Sequence, residues 1–119
     1  MTIQRQKLGK KGEQRAVEHL KKTGYRILEL NYRTRLGEID IIAKDGKTIA
    51  FIEVKARSSS HFGNPKWAIT PKKQRHMSMV ALYYLKETRQ GQEKARFDVV
   101  TIQSEKIEVV KNAFELAYG

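Results

Sequence analysis

The sequence predicts an α/β or α+β domain in which a central mixed β-sheet, containing an antiparallel hairpin, is flanked by helices. Segments with helical and strand-like spacing of apolar residues follow one another in the predicted order α-β-β-β-α-β-β. An Asp45-Gly46 pair between two of the strands predicts the hairpin. The 119 residues are enough for one hydrophobic core and too few for two, so residues 1–119 are expected to form a single domain.

The first predicted helix spans about residues 8–23, and Gly24 follows it as a C-terminal cap. The apolar residues that recur along it at helical spacing are Ala16, Val17 and Leu20. Glu13 falls on the same stripe. One carboxylate of this helix is therefore expected to face inwards.

Alternating apolar and polar residues predict the strands. The first covers residues 25–30 and is followed by a basic connection, and the hairpin strands cover about 38–44 and 48–57. Two further strands are predicted on either side of a short turn at Ser104 and Glu105.

The second predicted helix begins at Thr70 and Pro71, which form a suitable N-cap and first-turn pair, and runs to about Glu87. Its apolar residues extend over much of its circumference. A helix of this kind is either deeply buried or shared with a partner subunit, so the sequence makes a homodimer one expectation.

The charge of the chain is strongly basic, because 24 Lys and Arg outnumber 13 Asp and Glu and give a formal net charge of +11. A surplus of this size favours a polyanionic partner, and nucleic acid is the commonest one. A solubilising charged surface is the alternative. The charge is clustered, however, since residues 54–76 contain six basic residues and no acidic one: Lys55, Arg57, Lys66, Lys72, Lys73 and Arg75. Clustering of this kind is typical of a face that contacts phosphates.

The composition also limits the location of the protein and the metals that it can bind. The chain contains no cysteine, so a metal would be held by oxygen or imidazole, which favours Mg²⁺ or Mn²⁺. No apolar run is long enough to span a bilayer, and the N-terminus lacks the apolar segment of a signal peptide. The protein is therefore expected to be cytoplasmic, with no membrane partner.

The predicted hairpin carries three carboxylates that stability alone does not explain. With Asp45-Gly46 as a two-residue turn, Lys44 would lie opposite Lys47 and Glu38 opposite Glu53. Asp40 would then lie diagonally within reach of Glu53 on the same face. Like charges that face each other across two strands destabilise a sheet.

A bound divalent cation would reverse that penalty. Mg²⁺ takes oxygen ligands and usually only one or two carboxylates, which Asp40 and Glu53 could supply. Glu38 and Glu13 are candidates for further ligands or for residues that support the ligands. Lys55 lies on the same face and could orient or deprotonate a water, or offset charge on a phosphate. The alternative is an exposed charged end of a hairpin, in which Lys55 merely neutralises Glu53.

These residues also resemble a known motif. Asp40, followed on the next strand by Glu53-Val54-Lys55 within FIEVKAR, resembles the PD-(D/E)xK motif of restriction-endonuclease-like nucleases. Over nearly the full length, the segments GEQRAVEHL, GEIDIIA, FIEVKARSSS, TPKKQR and RFDVV resemble the YraN-like family of uncharacterised bacterial proteins. The resemblance implies a restriction-endonuclease-like fold, with a central mixed sheet and flanking helices.

The resemblance also implies roles for individual residues. Asp40 and Glu53 would be metal ligands and Lys55 the catalytic lysine. Glu13 would be an accessory acid, as on the first helix of the similar archaeal-type Holliday-junction resolvases. Gln74 stands where some related nucleases place a glutamine that supports the site; the alternative is an ordinary polar residue in a first turn.

The function expected from the sequence is therefore that of a Mg²⁺- or Mn²⁺-dependent endonuclease. Its substrate would be DNA rather than RNA, with branched or damaged DNA as candidates. The residues predicted to contact nucleic acid are Arg57, Lys72, Lys73, Gln74 and Arg75. The alternative function is a nucleic-acid-binding module that has a nuclease scaffold and does not cut.

Overall fold

The computed structural model describes residues 3–56 and 69–117, and in the first helix it describes side chains from residue 11 onward. The elements are α1 (Ile3–Lys22), β1 (Arg26–Thr34), β2 (Gly37–Asp45), β3 (Thr48–Ala56), α2 (Pro71–Glu87), β4 (Lys94–Gln103) and β5 (Lys106–Phe114). The predicted order α-β-β-β-α-β-β is confirmed.

The five strands form one mixed sheet in the order β1-β2-β3-β4-β5. β3 and β4 are parallel and lie on either side of α2 in the chain, whereas the other neighbouring strands are antiparallel. Parallel neighbours need a long crossover connection, and residues 57–93, which include α2, provide it. The α/β class with a mixed sheet, predicted from the sequence, is confirmed.

The two helices pack on opposite faces of the sheet. Ala16 and Leu20 of α1 belong to one cluster of buried residues, whereas Met77 and Val80 of α2 belong to another. Consecutive strand residues divide between these clusters, because side chains alternate across a strand. The α1 side contains Ile41, Ile52 and Val100, and the α2 side contains Ile42, Phe51 and Val99.

Helix α2 is held at its first turn by a cap, as predicted. Thr70 Oγ1 accepts a hydrogen bond from Lys73 N at 3.1 Å, and Pro71 occupies the first turn. The helix also passes close to β2 at Gly37, where a Cβ atom would lie 3.4 Å from Val80 Cγ2. With a φ of 145°, Gly37 is in a conformation that favours glycine. The cap thus defines the start of α2, and Gly37 lets the middle of the helix pack closely on β2.

The exposed side of α2 retains several apolar residues. Met79, Leu82 and Tyr83 are each more than 40% exposed. The homodimer expected from the sequence stays a prediction. No helix among residues 3–56 and 69–117 is both long and apolar enough to cross a bilayer.

The predicted register of the hairpin was wrong by two residues. Asp45 pairs with Thr48, so the two central residues of the turn are Gly46 and Lys47 rather than Asp45 and Gly46. The carboxylate of Asp45 accepts hydrogen bonds from Arg96 at 2.6 Å and Lys111 at 3.0 Å, which hold Asp45 at the end of the strand. A shift of two residues leaves the side chains of the regular ladder, residues 41–45 and 48–52, on their predicted faces, because strands alternate with period two.

Two boundaries differ from the prediction. α1 begins at Ile3, before the predicted start near residue 8. β1 continues to Thr34 through the segment that was expected to be a connection. Pairing with β2 explains this extension, since Tyr32 lies opposite Ile39 and its ring packs edge-on against Tyr84 at 5.3 Å.

Candidate metal and catalytic site

The site forms where the β2–β3 ladder ends. The last regular pair joins Ile41 to Ile52. Ile39 packs in the same cluster as Ile42, although strict alternation would place these two side chains on opposite faces. The alternation of β2 is therefore broken around Asp40. Here the Asp40 carboxylate, through Oδ2, accepts a hydrogen bond from Val54 N at 2.9 Å.

Two carboxyl groups meet at this break. Following the observed register, Asp40 rather than Glu38 lies level with Glu53, so the predicted pairing of Glu38 with Glu53 was wrong. Glu53 is buried, Asp40 is half-buried, and the two carboxyl groups are close enough for each to shift the pKa of the other. A pair of carboxyl groups this close shares its protons and its charge.

Glu53 is enclosed without being fully satisfied. Its Oε2 atom is buried and has no hydrogen-bond partner among the described residues. Lys73 Nζ lies 3.7 Å from Oε2, and Lys55 Nζ lies 4.0 Å from Oε1. Both separations exceed the range of a hydrogen bond, so each lysine forms only an ion pair with the carboxylate.

The pKa values of the pair are raised. Burial is the main cause of raising the pKa of Glu53 to about 7, and the nearby charge of Asp40 raises it further. Lys73 and Lys55 act in the opposite direction. Burial also raises the pKa of Asp40, whereas the Val54 N–H and Lys73 lower it. The surroundings therefore disfavour a doubly ionised pair in the absence of a further cation.

Glu13 and Glu38 lie near this pair with partners of their own. Glu38 Oε2 is 3.3 Å from Arg33 Nε on β1. Glu13 Oε2 accepts a hydrogen bond from Asn31 Nδ2 at 3.1 Å. The pKa of Glu13 is raised, mainly by burial and also by the charges of Asp40 and Glu38. Within the described residues, no group of three acidic or histidine side chains forms a metal-binding cluster.

The predicted nucleic-acid contacts are distributed over the first turns of α2. Lys73 reaches the carboxylate pair, Lys72 is exposed and Arg75 is half-buried. The side-chain amide of Gln74 donates to Ile69 O at 3.0 Å, so in this structure it supports the start of the helix. Arg57 lies outside the described residues.

Sequence reasoning missed two features of this region. Asn31, which fixes Glu13, was not singled out; its φ of 53° is a conformation that asparagine tolerates better than most residues. The contact between Lys73 and Glu53 was also missed. Its signal in the sequence is a first helical turn that contains lysines and no acid, an arrangement that the helix dipole disfavours.

A mixed five-stranded sheet with one helix on each face, and two acids and a lysine at the end of its hairpin, define an α/β domain compatible with the restriction-endonuclease-like fold. Within this class, the chain belongs to the family described as Uncharacterised protein family UPF0102, whose sequence model matches residues 12–102. The family resemblance inferred from the sequence is confirmed.

Relatives from several bacteria match this chain over most of its length. A UPF0102 protein of Syntrophus aciditrophicus is 53% identical over 115 residues, which cover 93% of this chain and 91% of the relative. A UPF0102 protein of Geobacter metallireducens is 52% identical over 122 residues, which cover 99% of this chain and all of the relative (100%). These similarities establish the family, and they carry no statement of activity.

Proposed function

We propose that this protein is a Mg²⁺- or Mn²⁺-dependent nuclease that hydrolyses phosphodiester bonds in DNA. The observation that supports the proposal is the proximity of the carboxyl groups of Asp40 and Glu53, beside Lys55 and around the unbonded Oε2 atom of Glu53. Two carboxyl groups held together at low exposure repel each other when ionised, and a divalent cation between them removes that cost.

The residues fit such a cation. Glu53 Oε2 is a buried oxygen without a hydrogen-bond donor among the described residues, and the neighbouring groups offer further oxygen atoms. Mg²⁺ needs one or two carboxylates and leaves its other positions for water and phosphate, so Asp40 and Glu53 would be sufficient to hold it. The bound cation would supply charge neutralisation at the phosphate and lower the pKa of a coordinated water.

The other residues of the site would act on the substrate. Lys55 is partly exposed beside Glu53, where its ammonium group would orient the attacking water or offset charge on the phosphate. Lys72 and Arg75, one helical turn from the site, would contact the DNA backbone without reading its sequence. The net charge of +11 would hold the polyanion near the carboxylate pair.

Two isosteric variants test the proposal. Asp40→Asn and Glu53→Gln each remove a ligand charge, and we expect DNA cleavage in Mn²⁺ to fall by at least about a hundredfold. DNA binding should be retained, because less negative charge faces the phosphates. Glu105→Gln, a change of the same type in an exposed turn, serves as the control. Cleavage by the Asp40 and Glu53 variants at the rate of the control would refute a nuclease role for this site.

The substrate class can be resolved with the same proteins. Linear duplex, single-stranded, flapped and four-way DNA are incubated with Mg²⁺ or Mn²⁺, and the Glu53→Gln protein is run beside each reaction. Branched DNA is the expected substrate if the resemblance to junction resolvases extends to activity. Preferential cutting of plain duplex would contradict that expectation without affecting the nuclease proposal.

One observation favours a second candidate function, a nucleic-acid-binding module that does not cut. Lys55 and Lys73 already place one positive charge near each oxygen of Glu53, so the carboxylate is neutralised by the protein itself. This function predicts DNA binding that weakens steeply with salt, without metal-dependent turnover. It also predicts no thermal shift on addition of Mn²⁺, whereas the nuclease predicts a shift that Asp40→Asn removes.

A further inference from the structure

Lys73 lies where the two carboxylates of the candidate site leave a charge to be balanced. Its Nζ atom is 3.7 Å from Glu53 Oε2, the buried oxygen that lacks a hydrogen-bond donor among the described residues. Lys73 also lowers the pKa of both Asp40 and Glu53, so its charge acts on the pair as a whole. The ammonium group therefore stands beside the same oxygen that would bind a divalent cation.

The fold holds the backbone of Lys73 in this place. Its N–H donates to the side chain of Thr70 in the N-cap, and the Gln74 side chain fixes the preceding turn through Ile69 O. The flexible part is the side chain, which is about one-third exposed. A lysine with a fixed backbone and an open path to solvent can change partners without any movement of the helix.

The position of this lysine is unfavourable unless an anion faces it. The first turn of α2 contains no acidic residue, and a cation near a helix N-terminus is repelled by the helix dipole. The Glu53 carboxylate supplies that anion in the structure. The ion pair at 3.7 Å lacks a hydrogen bond, so it is weaker than a directly bonded lysine–carboxylate pair.

We propose that Lys73 is an internal counter-ion of the Asp40–Glu53 pair, which stands near the cation position in the metal-free protein and leaves it when a divalent cation binds. The inference rests on the metal site of the proposed function. It assigns Lys73 a role in setting metal affinity, in place of the simple DNA contact expected from the sequence. Once released, the ammonium group would face solvent at the start of α2, where a DNA phosphate could receive it.

Calorimetric titration of Mn²⁺ into the DNA-free protein at low salt tests this role. Removal of the competing charge in Lys73→Met should tighten Mn²⁺ binding by about tenfold. Lys73→Arg keeps the charge and should bind with close to the wild-type affinity. Lys86→Met removes an exposed lysine from the last turn of the same helix and controls for the change in net charge. Glu53→Gln should abolish binding.

The outcomes separate this inference from the proposed function. Tighter binding by Lys73→Met alone supports the counter-ion role. Equal or weaker binding by Lys73→Met, with Glu53→Gln inactive in binding, overturns that role and leaves the metal site intact. Equal tightening by Lys73→Met and Lys86→Met shows a general charge effect and also overturns it. Absence of Mn²⁺ binding in every protein, wild type included, removes the metal site and the inference together.

A second measurement keeps the test independent of the Met variant. In the wild-type protein, reaction of lysine amines with an acylating reagent is followed by mass spectrometry with and without Mn²⁺. Labelling of Lys73 should increase several-fold on addition of Mn²⁺, while labelling of Lys86 stays constant. Labelling of Lys73 that is unchanged by saturating Mn²⁺ would show that the amine does not leave the carboxylates. If Lys73→Met does not fold, Lys73→Gln takes its place in the calorimetry.

Discussion

Two buried acids on neighbouring strands, Asp98 on β4 and Glu53 on β3, are treated very differently by their surroundings. Asp98 lies on the α1 side of the sheet and accepts hydrogen bonds from Tyr25 Oη, Arg96 Nε and Asn112 N, all within 3.1 Å. Glu53 lies on the α2 side and has a buried oxygen without any donor among the described residues.

Asp98 is bonded as a structural acid is, whereas Glu53 keeps one buried oxygen without a partner among the described residues. Native proteins satisfy nearly all buried polar groups, so an exception requires an explanation. The bonds of Asp98 join β4 to the start of β1 and to an irregular part of β5, where Asn112 has a φ of 54°. Within the described residues Glu53 forms only long ion pairs with Lys55 and Lys73, and its unbonded Oε2 atom is what makes it a candidate ligand.

Substitution of Asp98 should lower the stability of the protein much more than substitution of Glu53. Asp98→Asn removes the buried charge that pairs with Arg96. We therefore expect the free energy of unfolding to fall by about 3 to 5 kcal/mol. Glu53→Gln removes a charge that burial disfavours at pH 8, so it should cost nothing and should raise the free energy of unfolding. Urea unfolding in EDTA at pH 8 measures both. Equal losses would mean that both acids are structural.

Glu53 should make the metal-free protein less stable as the pH rises. The pKa of Glu53 is raised by burial from 4.5 to about 7, so the folded state favours its protonated form. Its contribution to stability is fully present below pH 4.5 and is lost as the pH rises through about 7, by up to about 3 kcal/mol. Unfolding in EDTA from pH 4.5 to 8 should show this decline, and Glu53→Gln should remove it. A decline that persists in the variant would assign it to another group.

Addition and removal of Mn²⁺ should also change the free energy of unfolding. Mn²⁺ at about a hundred times its dissociation constant should raise the free energy of unfolding by about 2.7 kcal/mol, and EDTA should reverse the increase. The increase should be lost in Asp40→Asn, because that variant lacks a ligand charge. Lys111→Met, which removes only the ion pair of Lys111 with Asp45 at the turn end of the hairpin, should retain the increase. Stabilisation of the Asp40 variant by Mn²⁺ would place the cation elsewhere.

The smallest change in stability is expected at Asp45, whose carboxylate accepts hydrogen bonds from Arg96 and Lys111. Hydrogen bonds from Arg96 and Lys111 lower the pKa of Asp45, so its contribution is present above pH 3.8 and is lost as the pH falls through the lowered pKa. Its sign is opposite to that of Glu53. Because Asp45 is one-quarter exposed, Asp45→Asn should cost only about 1 kcal/mol at pH 7. Thermal unfolding at pH 7 and at pH 3 measures the difference, which should shrink at the lower pH.

The sequence was sufficient for what depends on local spacing. The order of elements, the cap at Thr70 and the position of Lys55 beside Glu53 all follow from periodicity and turn chemistry. The register of the β2–β3 hairpin could not be predicted from local spacing. It depends on Arg96 and Lys111, residues of distant strands that hold Asp45 out of the turn.

The remaining parts of the site depend on tertiary placement. That Lys73 rather than Lys72 reaches Glu53 depends on how α2 lies over β3, which no local pattern specifies. The contact of Asn31 with Glu13 similarly requires α1 to dock beside β1. In both cases the residue types were visible in the sequence, whereas their partners were set by packing.

The parallel pairing of β3 with β4 has a consequence for the order of folding. The β2–β3 hairpin is local and forms on the timescale of microseconds, whereas a parallel pair must wait for its crossover connection. We therefore expect Asp40 and Glu53 to meet before α2 brings Lys73 to them. Until α2 docks, the hairpin would carry the Asp40–Glu53 pair without the charge of Lys73. A divalent cation from solution that bound this pair would then stabilise the hairpin early in folding.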